Sequence, residues 1–398
     1  MNSDDVKTFC VVTLGVLPRA LAAIWILAGP IPEGRTAAGP LMLPRGVSDL
    51  IAGGGNIAAS ALSNPNVDGI SVRAHWSDVE TADGVYNWSY LDAKINQATA
   101  AGKWVTLRVS TAGGGASQGG LVPDWVINQI KANGGKFFSW LDSAHGNRVI
   151  TIPVFWDPTF MQKKRELIAA LGKRYGDNRN IKVVYVGFAN ARSSDWSVPH
   201  SNQLRAAEKA AGLTTTGVQR WIALGYTEQK IIDSGCPASG TGGIIDAAVK
   251  SFPSAVIIFS AGTTGIKLDP HGKRYCSETV FKNAKAKYGD HVAVQKDDLS
   301  QKTSVNQPFS RQPADNAWRI IYDARPQVAA QMVWSTNDMS RFAVPGYSGT
   351  PAQALKAAVD CGKDYGTYFQ EIYQADITNS SNDMQAVIAH AHTVLTSP

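Results

Sequence analysis

The 398-residue chain has few of the features that mark several specialised classes of protein. It has four cysteines, too few for a disulfide scaffold, and none of their spacings resembles a zinc site. Its formal net charge of +6 is spread along the chain without a run of lysines and arginines. We therefore expect no nucleic-acid partner, no metal and no cofactor. With 44% hydrophobic residues, the chain is globular material long enough for a large core.

No apolar run beyond the first forty residues is long enough to cross a membrane. Within those forty, a short apolar segment from Ala20 to Gly29 follows Arg19 and precedes small residues. That pattern is typical of a secretory signal, with a membrane anchor or a misplaced start codon as alternatives. We predict a signal peptide or N-terminal extension at residues 1–40, a single domain at 41–398, and a secreted or periplasmic location.

The three cysteines outside that segment have simple predicted roles. Cys236 and Cys276 both lie in loop-like sequence, where an exported protein could form a bridge, and this alternative stays open. Cys361 is predicted to be a lone buried thiol, because no paired base is near it in sequence.

Short β-branched or aromatic runs recur along the chain and alternate with helical patterns, which predicts βα units and a parallel sheet. A first, weakly marked run lies near PRGVSDLIA. Seven more follow, namely GISVRAHW, KWVTLRVS, KVVYVGFAN, AVIIFSAG, HVAVQKDD, AAQMVWS and TYFQEIYQ. Eight such units predict a single-domain (β/α)8 TIM barrel.

The segments between these runs have apolar residues at helical spacing, as in Leu91, Ile95 and Ala98 or in Met384, Val387, Ile388 and Ala391. The stretch from Thr111 to Asp157 is too long for a plain connector. It predicts an elaborated loop at the face where such barrels build their sites.

Side chains at the C-terminal ends of barrel strands converge on one pocket, so the ends of the eight runs are the candidate site. They supply the carboxylates, amides, arginines and tryptophans that a carbohydrate site uses to bind hydroxyls, stack on sugar rings and cleave an acetal. The candidate substrate-binding residues are Arg73, His75, Trp76, Arg108, Asn190, Trp196, Gln295, Asp297 and Trp334.

One stretch resembles the clan A glycoside hydrolases, particularly those of β-galactosidase type. The matching residues are Arg73, Trp76 and Glu80 in VRAHWSDVE, then Gly84, Tyr86 and Trp88 in DGVYNWSYLD, and Gly102 ahead of KWVTLRV. The resemblance implies a barrel that cleaves glycosidic bonds with two carboxyl groups. It also implies a glutamate after an asparagine at the end of the fourth strand and a second glutamate on the seventh.

The sequence departs from that pattern at both places, because Ala191 follows Asn190 and QMVWSTND contains no glutamate. Asp195, on the loop after Asn190, is the nearest acid to the vacant position, its alternative role being a helix cap. Glu371 lies in a strand whose alternation sends it inward, its alternative role being an ion pair with a barrel arginine. We predict that the loop ARSSDW folds back and that Asp195 and Glu371 are the catalytic pair.

Several of the candidate binding residues also have structural alternatives. Arg73 and Arg108 could simply neutralise buried carboxylates, and His75 is more typical of a structural histidine because no acid partner is visible beside it. One of Asp297 and Asp298 is predicted to face the pocket and the other to lie in a surface turn. For Trp76, Trp196 and Trp334, the alternative to stacking on a sugar ring is packing within the protein.

Three functions are compatible with this sequence. The first is a glycoside hydrolase acting on an oligo- or polysaccharide. The second is an inactive carbohydrate-binding protein on a glycosidase-like barrel, and the third a metal-assisted hydrolase using Asp297 and His75, for which no ligand spacing is visible.

Overall fold

The computed structural model describes residues 41–142, 146–192, 195–262, 276–309 and 317–397. These residues belong to one compact unit. The predicted signal segment, residues 1–40, lies outside the described residues. No helix in the described part of the chain combines the length and apolar character needed to span a bilayer.

Eight parallel strands close into a barrel, which confirms the predicted fold. We number them in chain order: β1 Gly46–Leu50, β2 Gly69–His75, β3 Trp104–Ser110, β4 Ile181–Tyr185, β5 Val256–Ser260, β6 Val292–Leu299, β7 Val328–Met332 and β8 Thr367–Tyr373. Each strand pairs with its neighbours in sequence, and β1 pairs with both β2 and β8, so the sheet has no free edge. The strand closest to the chain start therefore lies beside the strand closest to its end.

Helices and short helical turns connect the strands. The larger ones are Ser89–Ala100, Asp124–Ala132, Pro158–Tyr175, Gly217–Ala223, Glu228–Gly235, Ile244–Ser251, Cys276–Tyr288, Ala317–Ala324, Pro351–Asp364 and Asn382–Thr396. The shorter ones are Ala59–Ser63, Trp76–Val79, Ala116–Gln118, Ala206–Ala210, Gly289–His291, Gln301–Asn306, Met339–Phe342 and Gln374–Ile377. The predicted apolar stripes, such as Leu91, Ile95 and Ala98, are buried against the barrel.

The long segment after β3 is elaborated, as the sequence predicted. It contains the helix Asp124–Ala132 and an antiparallel hairpin of Phe137–Asp142 with Arg148–Pro153. A second, smaller hairpin pairs Glu80–Ala82 with Val85–Tyr86 after β2.

Side-chain alternation divides the strand residues into two packed layers. Outward residues such as Ile70, Val72 and Leu107 contribute to the core that also includes the helices. Inward residues such as Tyr185, Ile258 and Phe369 fill the barrel. Near the C-terminal ends of the strands, the inward positions change from apolar to charged and amide side chains, and this change positions the candidate site.

Candidate active site

Arg108 of β3 is the centre of a buried polar cluster at the C-terminal end of the barrel. Its Nη2 donates to Glu371 Oε2 at 2.8 Å, and its Nη1 donates to Gln331 Oε1 at 2.9 Å. Its guanidinium lies 3.6 Å from the centroid of the Tyr185 ring. Gln295 Nε2 also donates to Glu371 Oε2, at 3.0 Å. The fully buried Glu371 therefore accepts a charge-assisted hydrogen bond from Arg108 and a second hydrogen bond from Gln295.

Asp297 of β6 is the second carboxylate of the cluster. It accepts hydrogen bonds from Tyr185 Oη at 2.8 Å and from Gln295 Nε2 at 2.7 Å. Burial opposes its ionisation, but the positive charge of Arg108 and the bond from Gln295 hold the pKa of Asp297 below its usual value. Asp297 therefore carries a negative charge over the neutral pH range.

Asp195 reaches the cluster from a loop that folds back on itself, as the sequence predicted. The backbone N–H of Ala191 donates to Ser197 O at 2.9 Å, and that of Ser197 donates to Ala189 O at 2.8 Å. The fold-back brings Asp195 Oδ1 to 3.9 Å from Arg108 Nη1. Asp195 and Glu371, distant in sequence, thus contact the same guanidinium.

The Asp195 carboxyl differs from that of Asp297 in the direction of its pKa shift. Burial and the negative charge of Asp297, with which it shares a hydrogen bond, together raise the pKa of Asp195 to about 7 against the opposing charges of Arg108 and Arg73. Its Oδ1 is withdrawn from solvent, yet the side chain as a whole is 33% exposed. Asp195 is therefore a carboxylic acid that can hold a proton at neutral pH on the open side of the cluster.

Three further side chains lie around the cluster at the same end of the barrel. Arg73 of β2 is in register with Arg108, and its charge acts on both Asp195 and Tyr373. Burial raises the pKa of Tyr373 to about 12, with Arg73 opposing the shift. The Trp334 ring lies 6.0 Å from that of Tyr373, between centroids, and is 39% exposed. The Arg341 guanidinium also lies over the Trp334 ring, 4.3 Å from its centroid, so Trp334 is an exposed aromatic side chain that already has a cationic neighbour.

The other two tryptophans predicted as sugar platforms are used differently. Trp76 is fully buried, donates from Nε1 to Glu80 Oε2 at 2.7 Å and stacks on Phe160 at 6.1 Å between centroids. It has no exposed face, because β2 ends at His75 and the helical turn that Trp76 begins directs the indole into the core. Trp196 is half-buried, edge-on to Phe188.

His75 and Asn190 also have surroundings that the sequence did not predict. The His75 ring lies 3.1 Å from Asp78, so the acid partner that seemed absent is three residues further along. Asn190 is buried, and β4 ends at Tyr185 rather than at Asn190. Asn190 instead lies in the fold-back loop, where it forms a bridge with Ser197.

Two other aspartates near strand ends, Asp298 and Asp338, are outside the cluster. Asp298 faces away from Asp297 and pairs with Lys296 at 2.7 Å, but it lies within β6 and not in the predicted surface turn, because the strand continues to Leu299. Asp338 is exposed at the start of a short helix and pairs with Arg341.

Sequence reasoning missed Tyr185 and Ser260, which both bond Asp297. Their signal was present, since each follows an inward residue, Val183 or Ile258, by two positions. Because β4 ends at Tyr185 and not at Asn190, Tyr185 is the strand-end residue of β4.

Neither a metal centre nor a disulfide is found in the described part of the chain. No group of three histidine, cysteine, aspartate or glutamate side chains there could hold a metal ion. Cys236, Cys276 and Cys361 are free and buried, so the open alternative of a Cys236–Cys276 bridge is not realised. Cys236 Sγ instead lies 3.6 Å from both Asp246 and Lys287.

Solved structures of glycoside hydrolases share this fold. The catalytic domain of β-amylase from Paenibacillus polymyxa aligns with a TM-score of 0.54 at 15% identity, covering 90% of this chain and 100% of that domain. The β-galactosidase from the psychrophilic Marinomonas ef1 aligns with a TM-score of 0.51 at 11% identity, covering 87% of this chain and 59% of that one. No family model and no curated protein matches the sequence. At these identities the likeness establishes the barrel, and the chemistry has to be argued from the cluster.

Proposed function

We propose that this protein hydrolyses glycosidic bonds of an oligo- or polysaccharide at the C-terminal end of its barrel. The observation that carries the proposal is that Asp195 and Glu371 both contact Arg108. The pKa of Asp195 is raised, whereas Glu371 forms a close ion pair with Arg108. Two carboxyl groups in different protonation states are what acetal hydrolysis requires. The glycosidase barrels of similar fold support the same reaction class.

In this proposal, Asp195 is the general acid. Its proton passes to the glycosidic oxygen as the bond from that oxygen to the anomeric carbon breaks, so the leaving sugar departs as an alcohol. The resulting Asp195 carboxylate is stabilised by Arg108 and Arg73, the two positive charges that act on it. The same hydrogen bond to Asp297 that favours the protonated form orients the carboxyl group.

Glu371 is the base or nucleophile. It pairs with Arg108, and its Oε1 accepts no hydrogen bond within the described residues, whereas Asp297 accepts hydrogen bonds from Tyr185 and Gln295. The Glu371 carboxylate either takes the proton of the attacking water or attacks the anomeric carbon, which water then releases. Trp334, on the exposed rim, is the proposed stacking platform for a sugar ring.

A second candidate function is carbohydrate binding without catalysis. Glu371 is fully buried and fixed by Arg108 and Gln295, an arrangement that also suits a structural ion pair. The position after Asn190 is a buried alanine. In this alternative, Trp334 and the exposed side of Asp195 would bind a glycan that is released unchanged.

The two candidates are separated by variants of the proposed pair. Asp195→Asn and Glu371→Gln should each lower turnover on a cleaved glycan by a factor of at least about 100, because proton transfer contributes that much or more. Glycan binding should persist in both. Products are measured by mass spectrometry after incubation with a panel of plant, bacterial and fungal oligosaccharides.

Asp360→Asn is the matched control, because Asp360 lies on the helix Pro351–Asp364 and pairs with Lys356 and His390, outside the cluster. Its turnover should equal that of the unmodified protein. Full activity in both Asp195→Asn and Glu371→Gln would show that the pair is misassigned. If the unmodified protein binds glycans and cleaves none, the binding function replaces the hydrolase.

A further inference from the structure

A second pocket, of about 340 Å³, opens beside the loop that carries Asp195. One wall is formed by Phe138 and Trp140 of the long hairpin after β3. The other walls include three arginines: Arg192 from the Asp195 loop, and Arg205 and Arg220 from the segment that follows it. We call this cavity the arginine pocket.

The arginine pocket has an excess of positive charge. Among the described residues that line it, Glu208 is the one carboxylate, and two arginines share this buried group, with Arg205 Nε at 3.1 Å and Arg220 Nη2 at 3.7 Å. Arg192 pairs with Asp142 at 3.2 Å. Three guanidinium groups against two carboxylates leave one positive charge uncompensated within this group of side chains.

The walls also have spare hydrogen-bond donors. Arg220 Nε and Trp140 Nε1 are both buried and, within the described residues, neither has an acceptor. A buried donor without a partner costs free energy unless a ligand or water satisfies it. Both donor atoms are shielded from solvent, so the excess positive charge is the feature of the pocket that a ligand with anionic oxygens would match.

Building on the hydrolase proposed above, we propose that the arginine pocket binds an acidic sugar unit, so that the substrate is an oligosaccharide carrying carboxylate or sulfate groups. Guanidinium groups bind both oxyanions through paired hydrogen bonds. The aromatic residues Phe138 and Trp140 add an apolar surface of the kind that sugar rings contact. A long polyanion would instead need an extended basic track, and the sequence has no run of lysines and arginines.

The pocket is close enough to the cluster to bind part of the same substrate. Arg192 precedes Asp195 by three residues, and three residues of extended chain span at most about 11 Å. A single oligosaccharide can therefore contact Arg192 in the pocket while another of its units lies beside Asp195. Charge on the substrate would then determine which glycans are positioned for cleavage.

Isothermal titration calorimetry on the full protein tests this assignment, with neutral, uronate-containing and sulfated oligosaccharides of equal length. We expect the acidic compounds to bind at least about tenfold more tightly than the neutral one, because charge-assisted hydrogen bonds are the stronger ones. The affinity should fall as salt is raised. Whichever acidic compound binds more tightly identifies the anionic group as carboxylate or sulfate.

Arg205→Gln tests the pocket itself, because Arg205 is half exposed and its removal leaves Arg220 on Glu208. It should weaken acidic-glycan binding about tenfold and leave neutral-glycan binding unchanged. The control is Arg174→Gln, which removes an equally exposed, ion-paired arginine from a distant helix and should have no effect. Arg192→Lys, which keeps the charge opposite Asp142 but loses the paired geometry, is a second pocket variant and should also weaken binding.

Equal binding of acidic and neutral glycans, or equal effects of Arg205→Gln and Arg174→Gln, would overturn the proposal. So would tighter binding of a single-stranded oligonucleotide of equal charge. Binding is also measured in Asp195→Asn/Glu371→Gln, where the acidic preference should persist. A protein that cleaves no glycan but keeps that preference would refute the hydrolase alone, and cleavage without the preference would refute the arginine pocket alone.

Discussion

At the scale of single residues, Lys164 shows how strongly burial can act on one charge. Its side chain is fully buried in the layer between the barrel and the helix Pro158–Tyr175, near Leu107 and Val184, and its Nζ has no hydrogen-bond partner in the described part of the chain. Burial lowers the pKa of Lys164 to about 7. The protein therefore folds around an amine that resists protonation.

Lys164→Met should make the protein more stable at neutral pH. The unfolded state holds the lysine proton up to about pH 10.5 and the folded state only up to about 7, so the unmodified protein gains stability as pH rises between those values. The free energy of unfolding of Lys164→Met should exceed that of the unmodified protein most at and below pH 7, by up to about 5 kcal/mol, and this difference should shrink towards pH 10. The free energy of unfolding, from urea denaturation at pH 7 and 10, measures it.

The neighbouring lysine is the matched control. Lys163 donates to Asp83 at 2.9 Å and to Glu166 at 2.8 Å, so Lys163→Met removes ion pairs and should not stabilise the protein at pH 7. Equal stabilisation by both variants, or a gain for Lys164→Met that does not depend on pH, would contradict the account of the buried amine.

Strand alternation predicted most inward side chains of the cluster from sequence. Arg108, Gln295, Asp297 and Glu371 all lie on the barrel side of strands whose positions were read correctly. The protonation states could not be predicted, because they depend on which carboxyls meet. The pKa of Asp195, a loop residue, is raised by burial and by the charge of Asp297, which lies on β6.

At the scale of elements, the helix Pro158–Tyr175 has a defined start. Asp157 Oδ1 accepts from the backbone N–H of Phe160 at 2.9 Å, and Pro158 occupies the first turn, where no N–H is needed. This cap ends the elaborated segment after β3 and returns the chain to the barrel.

Asp157→Ala should lower the free energy of unfolding by about 1 kcal/mol, because the cap hydrogen bond is lost. Asp157→Asn keeps an oxygen acceptor and should cost less. Urea denaturation at pH 7 measures both variants. If Asp157→Asn lowers the free energy of unfolding as much as Asp157→Ala does, then the charge of Asp157, and not the cap hydrogen bond, stabilises the helix.

The fourth strand shows why element boundaries are hard to predict. The apolar run continues through Val186 and Phe188 to Ala189, yet β4 ends at Tyr185. Beyond it, Ala189 and Ala191 bond Ser197 of their own loop instead of a neighbouring strand. Sequence periodicity does not distinguish pairing across the barrel from pairing within a loop.

At the scale of the whole molecule, barrel closure is what assembles the cluster. Arg108 and Glu371 are 263 residues apart in sequence, and they meet because β8 pairs with β1, which pairs with β2 beside β3. The count of eight βα units was enough to predict this closure. The arginine pocket was not predictable, because its residues come from a hairpin strand, two short helices and the Asp195 loop, and no sequence periodicity indicates that these elements meet.

The pH dependence of kcat/KM on a cleaved glycan tests the central claim most directly. If Asp195 is the proton donor, activity requires its protonated form, so kcat/KM should fall tenfold per pH unit above about pH 7, where the raised pKa of Asp195 places the loss of that proton. In Asp195→Asn the residual activity should lack this fall. Absence of cleavage at every pH, or a fall above pH 7 that persists in Asp195→Asn, would contradict the account.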